Sequence, residues 1–148
     1  MKFATAALLA VNAVLLASAA AASVAPPIAV RFIGLQTLAA DATYEGTRVG
    51  GLSGIDYDKT TGLYTAIADD RSQLNPARFY NFDLAYTSTS FTAATPVKTT
   101  VIKRPDGSAF PAASVDPESI RKTSTGTYVW SSEGDASTPA AFQNPTIR

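Results

Sequence analysis

Acidic side chains recur, often close to arginine, at four places in the sequence, and these are the residue types that could carry chemistry. The chain contains neither histidine nor cysteine, which excludes the commonest general base, a Ser-His-Asp arrangement, thiolate sites and the usual zinc ligands. Hydrolysis would therefore depend on carboxylates, arginines or a hard cation held by oxygen ligands. The four clusters are Asp56 with Asp58; Asp69, Asp70 and Arg71; Asp116, Glu118 and Arg121; and Glu133 with Asp135.

Carboxylates that faced one opening of a β scaffold would repel each other unless a cation neutralised them. Ca²⁺ takes about six to eight oxygen ligands, so calcium is the cation that we expect at such an opening. Bound calcium would polarise a phosphate, and Arg71, Arg78 or Arg121 would add bidentate contacts. Asp56 and Asp58 flank a glycine turn, and for them a role in the turn or in solvent is favoured over catalysis.

Ser53 stands between two glycines, Gly51 and Gly54, and invites comparison with the nucleophile elbow of serine hydrolases. The second glycine falls one place too early for that motif, and the chain has no histidine to activate the serine. We therefore reject a serine hydrolase mechanism.

Short runs rich in β-branched and aromatic residues alternate with turn-forming clusters, and helical signals are nearly absent. A stiff Ala-Pro-Pro lead-in precedes a first strand expected within residues 28–38. Further strands are predicted at residues 52–57, 63–68, 78–84, 97–103, 119–122 and 127–131. The sequence therefore predicts an all-β fold.

Two hairpin sequences echo each other along the chain. Ile55, Tyr64 and Asp69 correspond to Ile120, Tyr128 and Glu133, with an offset of 65 residues before the turn and 64 after it. A repeat of strand, glycine turn and strand, ending both times in an acidic residue, is typical of successive β-propeller blades. Chance similarity between two hairpins is the alternative interpretation.

The length of the chain limits how much of a propeller it can form. Propellers close with about four to eight blades, and this chain holds two at most. We interpret it as an incomplete β-propeller, cut near residues 145–148 where a further strand of the second blade would begin. A small β-sandwich is the alternative.

The N-terminus has the order of a secretory signal peptide: a basic Lys2, an apolar stretch and a run of small residues. The apolar stretch is shorter than the roughly 20 residues of a membrane-spanning helix, and cleavage is predicted after Ala22, with Ala19 as the other candidate site. A buried N-terminal helix is the alternative. The predicted organisation is a signal peptide at 1–22, a lead-in and first strand at 23–44, and a propeller domain at 45–148.

Export predicts a secreted or periplasmic protein with no membrane anchor after cleavage. Removal of Lys2 leaves a net charge of −1, which disfavours nucleic acid as a partner.

From about residue 45 to the C-terminus, the order and spacing of several motifs resemble one known family. The motifs are Gly50-Gly51-Leu52-Ser53-Gly54-Ile55-Asp56, Ala68-Asp69-Asp70-Arg71, Asp116-Pro117-Glu118-Ser119-Ile120-Arg121 and Ser131-Ser132-Glu133-Gly134. They resemble the phytase-like domain described as esterase-like activity of phytase. The sequence departs from the family at Ser119, where glycine is usual, and a serine there requires a φ that is not positive.

The resemblance implies an exported β-propeller with phosphoric-ester hydrolase activity, by likeness to calcium-dependent propeller phytases. It implies a small-molecule phosphate ester such as phytate as substrate, and we expect a monomer that is inactive as an isolated chain. A non-enzymatic exported propeller that binds a ligand or a protein partner is the alternative. The residues implied are Asp69, Asp70, Glu118 and Glu133 for catalysis; these four with Asp116 for metal; and Arg71, Arg78 and Arg121 for substrate.

Overall fold

The computed structural model describes residues 28–140 and 142–148, and the predicted signal peptide at 1–22 lies outside these residues. The chain divides into two units, Met1–Arg31 and Phe32–Arg148, and all the strands described below belong to the second. No helix long and apolar enough to cross a bilayer occurs in the described part of the chain. The strands are β1 (Thr43–Tyr44), β2 (Thr47–Arg48), β3 (Leu52–Asp58), β4 (Leu63–Ala68), β5 (Arg78–Tyr86), β6 (Phe91–Val101), β7 (Pro117–Lys122), β8 (Tyr128–Ser132) and β9 (Thr146–Ile147).

The all-β prediction is confirmed, because the described residues form antiparallel strands and no helix. Strands β3 to β6 form a four-stranded meander, called here the first sheet. Strands β7 to β9 form the three-stranded second sheet, and β1 pairs only with β2. None of these three sheets closes on itself. Each of the six strands predicted after residue 50 overlaps an observed one, although β6 begins earlier than predicted because its first residues pair with the end of β5.

The expected first strand within residues 28–38 is wrong, since no strand occurs between residues 28 and 42. Its alternating apolar side chains do not pack against a sheet, since Phe32 and Leu35 are 81% and 73% exposed. The segment contacts the first sheet through single interactions, such as the Gln36 side-chain amide, which donates to the Phe91 carbonyl at 2.9 Å. Apolar alternation therefore failed as a strand signal here because no neighbouring strand supplies the backbone partners.

The two echoing hairpins, β3–β4 and β7–β8, have the same strand register. Ile55 pairs with Ala66, and their counterparts Ile120 and Trp130 pair with each other. Both hairpins carry a register shift at the same place, between Leu52 and Gly54 in the first hairpin and between Pro117 and Ser119 in the second. The predicted repeat is therefore confirmed at the level of the backbone.

The equivalence extends to the ends of the hairpins. The Asp69 amide donates to the Gly51 carbonyl at 2.6 Å, and the Glu133 amide donates to the Asp116 carbonyl at 3.0 Å in the equivalent place. At the opposite end, Asp58 accepts a hydrogen bond from the Thr60 amide at 2.9 Å. The turn role predicted for Asp58 is thus confirmed.

The two sheets pack against each other through opposite faces of equivalent strands. The first sheet contributes Ile67 and Phe79 to a shared core, and the second sheet contributes Ile120 and Trp130. Trp130 is the counterpart of Ala66 in the first hairpin. Ile67 follows Ala66 directly, so its side chain points to the opposite face of the sheet. The first sheet thus contacts the second through the face opposite to the one that the second sheet uses. The sheets are therefore stacked head to tail, as repeated units are.

The other face of the first sheet forms a second core with the segment that precedes β3. Tyr80 and Phe82 pack there, covered by Val49 and by the partly buried Leu38 and Tyr44. The covering segment reaches β4 and β5 but leaves the edge strand β3 open.

Candidate metal centre

Three carboxylates meet at the end of the second hairpin. One oxygen from each of Asp116, Glu118 and Glu133 lies within 4.8 Å of the others. Asp116 and Glu118 are partly buried, and Glu133 is exposed. These three residues are called the carboxylate cluster below.

The backbone of the second hairpin dictates this convergence. Asp116 and Glu118 flank Pro117 where β7 begins, and Glu133 follows the end of β8. The Asp116 amide donates to the Ser132 hydroxyl at 2.9 Å, which with the Asp116–Glu133 backbone hydrogen bond closes the end of the hairpin. Because the two strand ends are tied side by side, their acidic side chains occupy one space.

The electrostatic environment of the cluster opposes ionisation. Burial is the largest cause that raises the pKa of Asp116, and nearby carboxylates raise it further, against the opposing charge of Arg71. Burial also raises the pKa of Glu118, followed by the charges of Glu133 and Asp116. The cluster thus holds more negative charge than its surroundings neutralise, which is the condition that favours a bound cation.

The first hairpin contributes a fourth carboxylate, Asp69, to the same cleft. The negative charge of Asp69 adds to the pKa rise of both Asp116 and Glu118. Its carboxylate lies against Gly51, where an added β carbon would overlap with it, and Gly51 has a φ of 57°. Glycine is therefore required at position 51 for both backbone and space.

Arg71 is the counterion of the cluster. Its Nε lies 3.5 Å from Asp116, and its Nη2 donates to Asp135 at 2.5 Å. The hydrogen bond to Asp135 raises the pKa of Arg71 further above its ordinary value. Arg71 thus forms ion pairs with two carboxylates of the second hairpin, but its buried Nε has no hydrogen-bond partner among the described residues, and its side chain lines the cleft.

The structure places Asp70 and Arg78 in a buried network beside the cleft. Arg78 Nη1 donates to Asp70 at 2.8 Å, and its Nη2 donates to the Arg48 carbonyl at 2.7 Å. Asp70 also accepts hydrogen bonds from the backbone amides of Gln73, Leu74 and Asn75. With only 1% of Arg78 exposed, both side chains have the partners of a structural ion pair.

Arg121 does not line the cleft. Its Nη1 donates to the carbonyls of Ile55 and Ile120 at 2.9 and 2.6 Å. The structure therefore brings together Asp69, Asp116, Glu118, Glu133 and Arg71, sets Asp70 and Arg78 beside them, and leaves Arg121 apart.

Two residues contribute to the site in roles that the sequence did not predict, although Asp135 was counted among the acidic clusters and Ser53 was considered as a nucleophile. Asp135 holds Arg71, and the Ser53 hydroxyl, which donates to the Pro117 carbonyl at 3.2 Å, also counteracts the rise in the pKa of Glu118. The hairpin repeat was a signal for Ser53, because Ser53 is the counterpart of Glu118. Ser119, the departure from the family pattern, is an extended residue of β7 without a positive φ, so serine fits there.

The cleft in front of the cluster has a volume of about 990 Å³ and is open to solvent. Its lining combines the acidic residues with apolar side chains, among them Leu38, Leu52 and Leu74. Such a cleft admits a small polar molecule while keeping one wall apolar.

Comparison with known proteins identifies the family. The family model for phytase-like proteins, described as esterase-like activity of phytase, matches residues 47–148 and includes every residue of the cluster. Comparisons with curated proteins and with solved structures give no match. On the family match, which spans more than half of its length, the chain belongs to the phytase-like family described as esterase-like activity of phytase.

Proposed function

We propose that this chain is the N-terminal part of an exported phytase-like β-propeller that binds calcium and hydrolyses small phosphate esters. The observation that carries the proposal is the convergence of Asp116, Glu118 and Glu133 within 4.8 Å in an open cleft. The full-length protein is the proposed enzyme, and the isolated chain is expected to show little or no turnover.

The donor set fits a hard cation. All candidate ligands are carboxylate oxygens, which suit Ca²⁺, and Asp69 stands near enough to add to their negative field. One arginine against four carboxylates leaves a surplus of negative charge in the cleft. A divalent cation held there would neutralise the carboxylates and polarise a phosphate oxygen.

The charged residues in and beside the cleft would have different roles in the reaction. Arg71 orients Asp116 by ion pairing and limits its repulsion from Glu133. Asp69 and Glu133 are exposed, so they would face an incoming ester or water, whereas Glu118 is partly buried next to Ser53. Asp70 and Arg78 stabilise the loop that carries Asp69 rather than contact the ester.

The propeller architecture is supported by the repeat. Two sheets with the same register are stacked head to tail, and each presents an acidic residue at the same end. A head-to-tail stack of small sheets closes when further sheets complete a ring, typically of about four to eight blades. We propose that the full-length protein completes such a ring and that the cleft opens at one of its mouths.

The test of the metal site is calorimetric titration of the full-length protein with CaCl₂, with Glu118→Gln and Glu133→Gln as variants and Asp106→Asn as the matched control. Asp106 is exposed, pairs with Arg104 and Ser108 and does not line the cleft, so its amide variant should bind calcium as the wild type does. The two glutamine variants should lose affinity and still fold. Calcium at 100 times its dissociation constant should add about 2.7 kcal/mol to the free energy of unfolding.

The test of activity uses phytate and a chromogenic phosphate monoester with the full-length protein, with and without a chelator. Calcium-dependent turnover that Glu133→Gln lowers would support the hydrolase. A second candidate is a non-enzymatic calcium-binding propeller, which the commitment of Arg71 and Arg78 to protein partners favours, because few cations then remain for a phosphate. Calcium binding without turnover would select this second function, and absence of calcium binding would overturn both.

A further inference from the structure

Arg71 has two carboxylate partners, and its contacts with them are unequal. Its Nη2 donates a hydrogen bond to Asp135 at 2.5 Å. Its Nε lies 3.5 Å from Asp116 and has no hydrogen-bond partner among the described residues, although this nitrogen is buried. A buried donor without a partner lowers the stability of a folded protein. The hydrogen bond to Asp135 is therefore the anchor of the guanidinium, and the contact with Asp116 is a loose one.

The main chain of Arg71 is held by two residues in the left-handed region. Ser72 follows Arg71 and has a φ of 60°. Ala113, whose amide donates to the Arg71 carbonyl at 2.7 Å, has a φ of 59°. Serine and alanine rarely adopt this conformation, which persists where surrounding contacts fix it. The Ser72 hydroxyl accepts a hydrogen bond from the Ala77 amide at 2.9 Å. A change of partner at Arg71 would therefore involve its side chain and not its main chain.

The position of Arg71 opposes a cation at the carboxylate cluster. A cation held by Asp116, Glu118 and Glu133 would bind an oxygen of the same carboxylate that the Arg71 Nε approaches. The two positive charges would repel each other, and solvent and salt screen charges only weakly in a partly buried site. The guanidinium and the cation therefore compete for Asp116.

We propose that Arg71 is a built-in competitor of the metal: it neutralises Asp116 in the metal-free protein and gives up that contact when a divalent cation binds, while it keeps Asp135. This exchange rests on the metal site of the proposed function and sets the affinity of that site. Removal of the Arg71 charge should then tighten calcium binding. A residue that served only to orient the metal ligands would have the opposite effect, because its removal would weaken binding.

The test is calorimetric titration of the full-length protein with CaCl₂ at low ionic strength, with Arg71→Met as the variant. Methionine keeps much of the aliphatic side chain without its charge, and the dissociation constant for calcium should fall about tenfold. Arg48→Met is the matched control. Arg48 also lines the cleft, but its guanidinium donates to the Ala40 carbonyl at 2.9 and 2.7 Å. This control should bind calcium within about twofold of the wild type.

Thermal melting of the same proteins gives a second measurement that does not depend on activity. In a chelator, Arg71→Met should melt below the wild type because Asp116 and Asp135 lose their counterion. At saturating calcium the difference in melting temperature should shrink, since the variant that binds calcium more tightly gains more stability from it. Arg71→Lys keeps the charge and should have a calcium affinity closer to that of the wild type. Arg71→Gln replaces the methionine variant if that variant unfolds.

The outcomes separate the exchange from the metal site itself. Tighter calcium binding by Arg71→Met, with Arg48→Met unchanged, would support the exchange. Weaker or unchanged binding by Arg71→Met, or equal tightening in the Arg48→Met control, would overturn the exchange and leave the metal site in place. A wild-type protein that binds no calcium would overturn both the exchange and the proposed function.

Discussion

The two hairpins have the same strand register but carry different side chains at the end that faces the cleft. Where the second hairpin carries Asp116, Glu118 and Glu133, the first carries Gly51, Ser53 and Asp69 at the equivalent positions. Three carboxylates therefore crowd one hairpin, and a single carboxylate belongs to the other.

The residues that follow the two hairpins differ in the charged partners that they supply. After the first hairpin, Asp70 is paired with the buried Arg78 and with three backbone amides. After the second, the positions are Gly134 and Asp135, and Asp135 pairs with Arg71 from the first hairpin. The comparison teaches that one unit of the repeat stabilises the cleft while the other supplies its uncompensated charge.

Removing the cation of the stabilising unit should have the largest effect. Arg78→Met leaves Asp70 buried without its partner, and breaking a buried pair costs about 3–5 kcal/mol of unfolding free energy. Urea denaturation measures the loss. Arg104→Met is the control, because Arg104 is 46% exposed and lies 3.8 Å from Asp106, and such surface pairs contribute about 0–1 kcal/mol. Equal losses in the two variants would contradict the distinction between the paired and surface arginines.

Acid should remove the stability that the paired carboxylates of both units contribute. Burial alone would raise the pKa of Asp70, but hydrogen bonds from Arg78 and from backbone amides outweigh it and lower the pKa. Hydrogen bonds from Lys122 lower the pKa of Asp58 well below its usual range, and those from Ser137, followed by Arg71, do the same for Asp135. The stability that these groups contribute is present above the unfolded-state pKa of about 4 and is lost as the pH falls through their folded values.

Acidification should change stability in the opposite direction at the carboxylate cluster. Because the pKa values of Asp116 and Glu118 are raised in the folded protein, their charged forms destabilise it at neutral pH. That loss is recovered as the pH falls through the raised values. Melting curves in a chelator should therefore show a small rise in stability on mild acidification and a decline below about pH 4. A melting temperature that is unchanged from pH 5 to pH 3 would contradict the assignment of the paired carboxylates.

Removing one charge of the cluster should have the smallest effect. In a chelator, Glu118→Gln should raise the free energy of unfolding, by less than about 1 kcal/mol because solvent screens a partly exposed group. Asp70→Asn is the matched comparison and should lower it, since Asp70 has an arginine partner. Differential scanning calorimetry measures both. The idea of an uncompensated cluster would fail if Glu118→Gln were as destabilising as Asp70→Asn.

Strand positions were predictable where apolar alternation and turn residues agreed. The hairpins at residues 52–68 and 117–132 follow from β-branched and aromatic runs around glycine turns, and both glycines have positive φ. The expected strand at residues 28–38 had the alternation but no partner strand, so the local pattern was not sufficient. A strand needs a neighbour to satisfy its backbone hydrogen bonds, and that neighbour is chosen by long-range packing.

The candidate site was predictable as a set of residue types but not as an arrangement. The repeat indicated Asp69 and Glu133, which end the two hairpins, and Glu118, which begins the inner strand of the second. Asp116 stood out as an acidic neighbour of Glu118. Nothing in the spacing distinguished Asp70, which an arginine eight residues away holds, from its neighbour Asp69, which lies against Gly51.

The sequence by itself determined the classes of chemistry that these 148 residues cannot supply, the hairpin repeat and the family to which the chain belongs. The composition of the chain excludes histidine and thiolate chemistry. The repeat can be recognised in the sequence because each hairpin pairs strands that are neighbours along the chain. Only the tertiary structure decided which charges are paired. Arg71 reaches Asp135 across 64 residues of chain, and Ser53 reaches Pro117 across the same separation. Such pairings depend on how one sheet is stacked on the next, because burial and the distance between charges, rather than residue type, determine whether a carboxylate is neutralised or left to attract a cation.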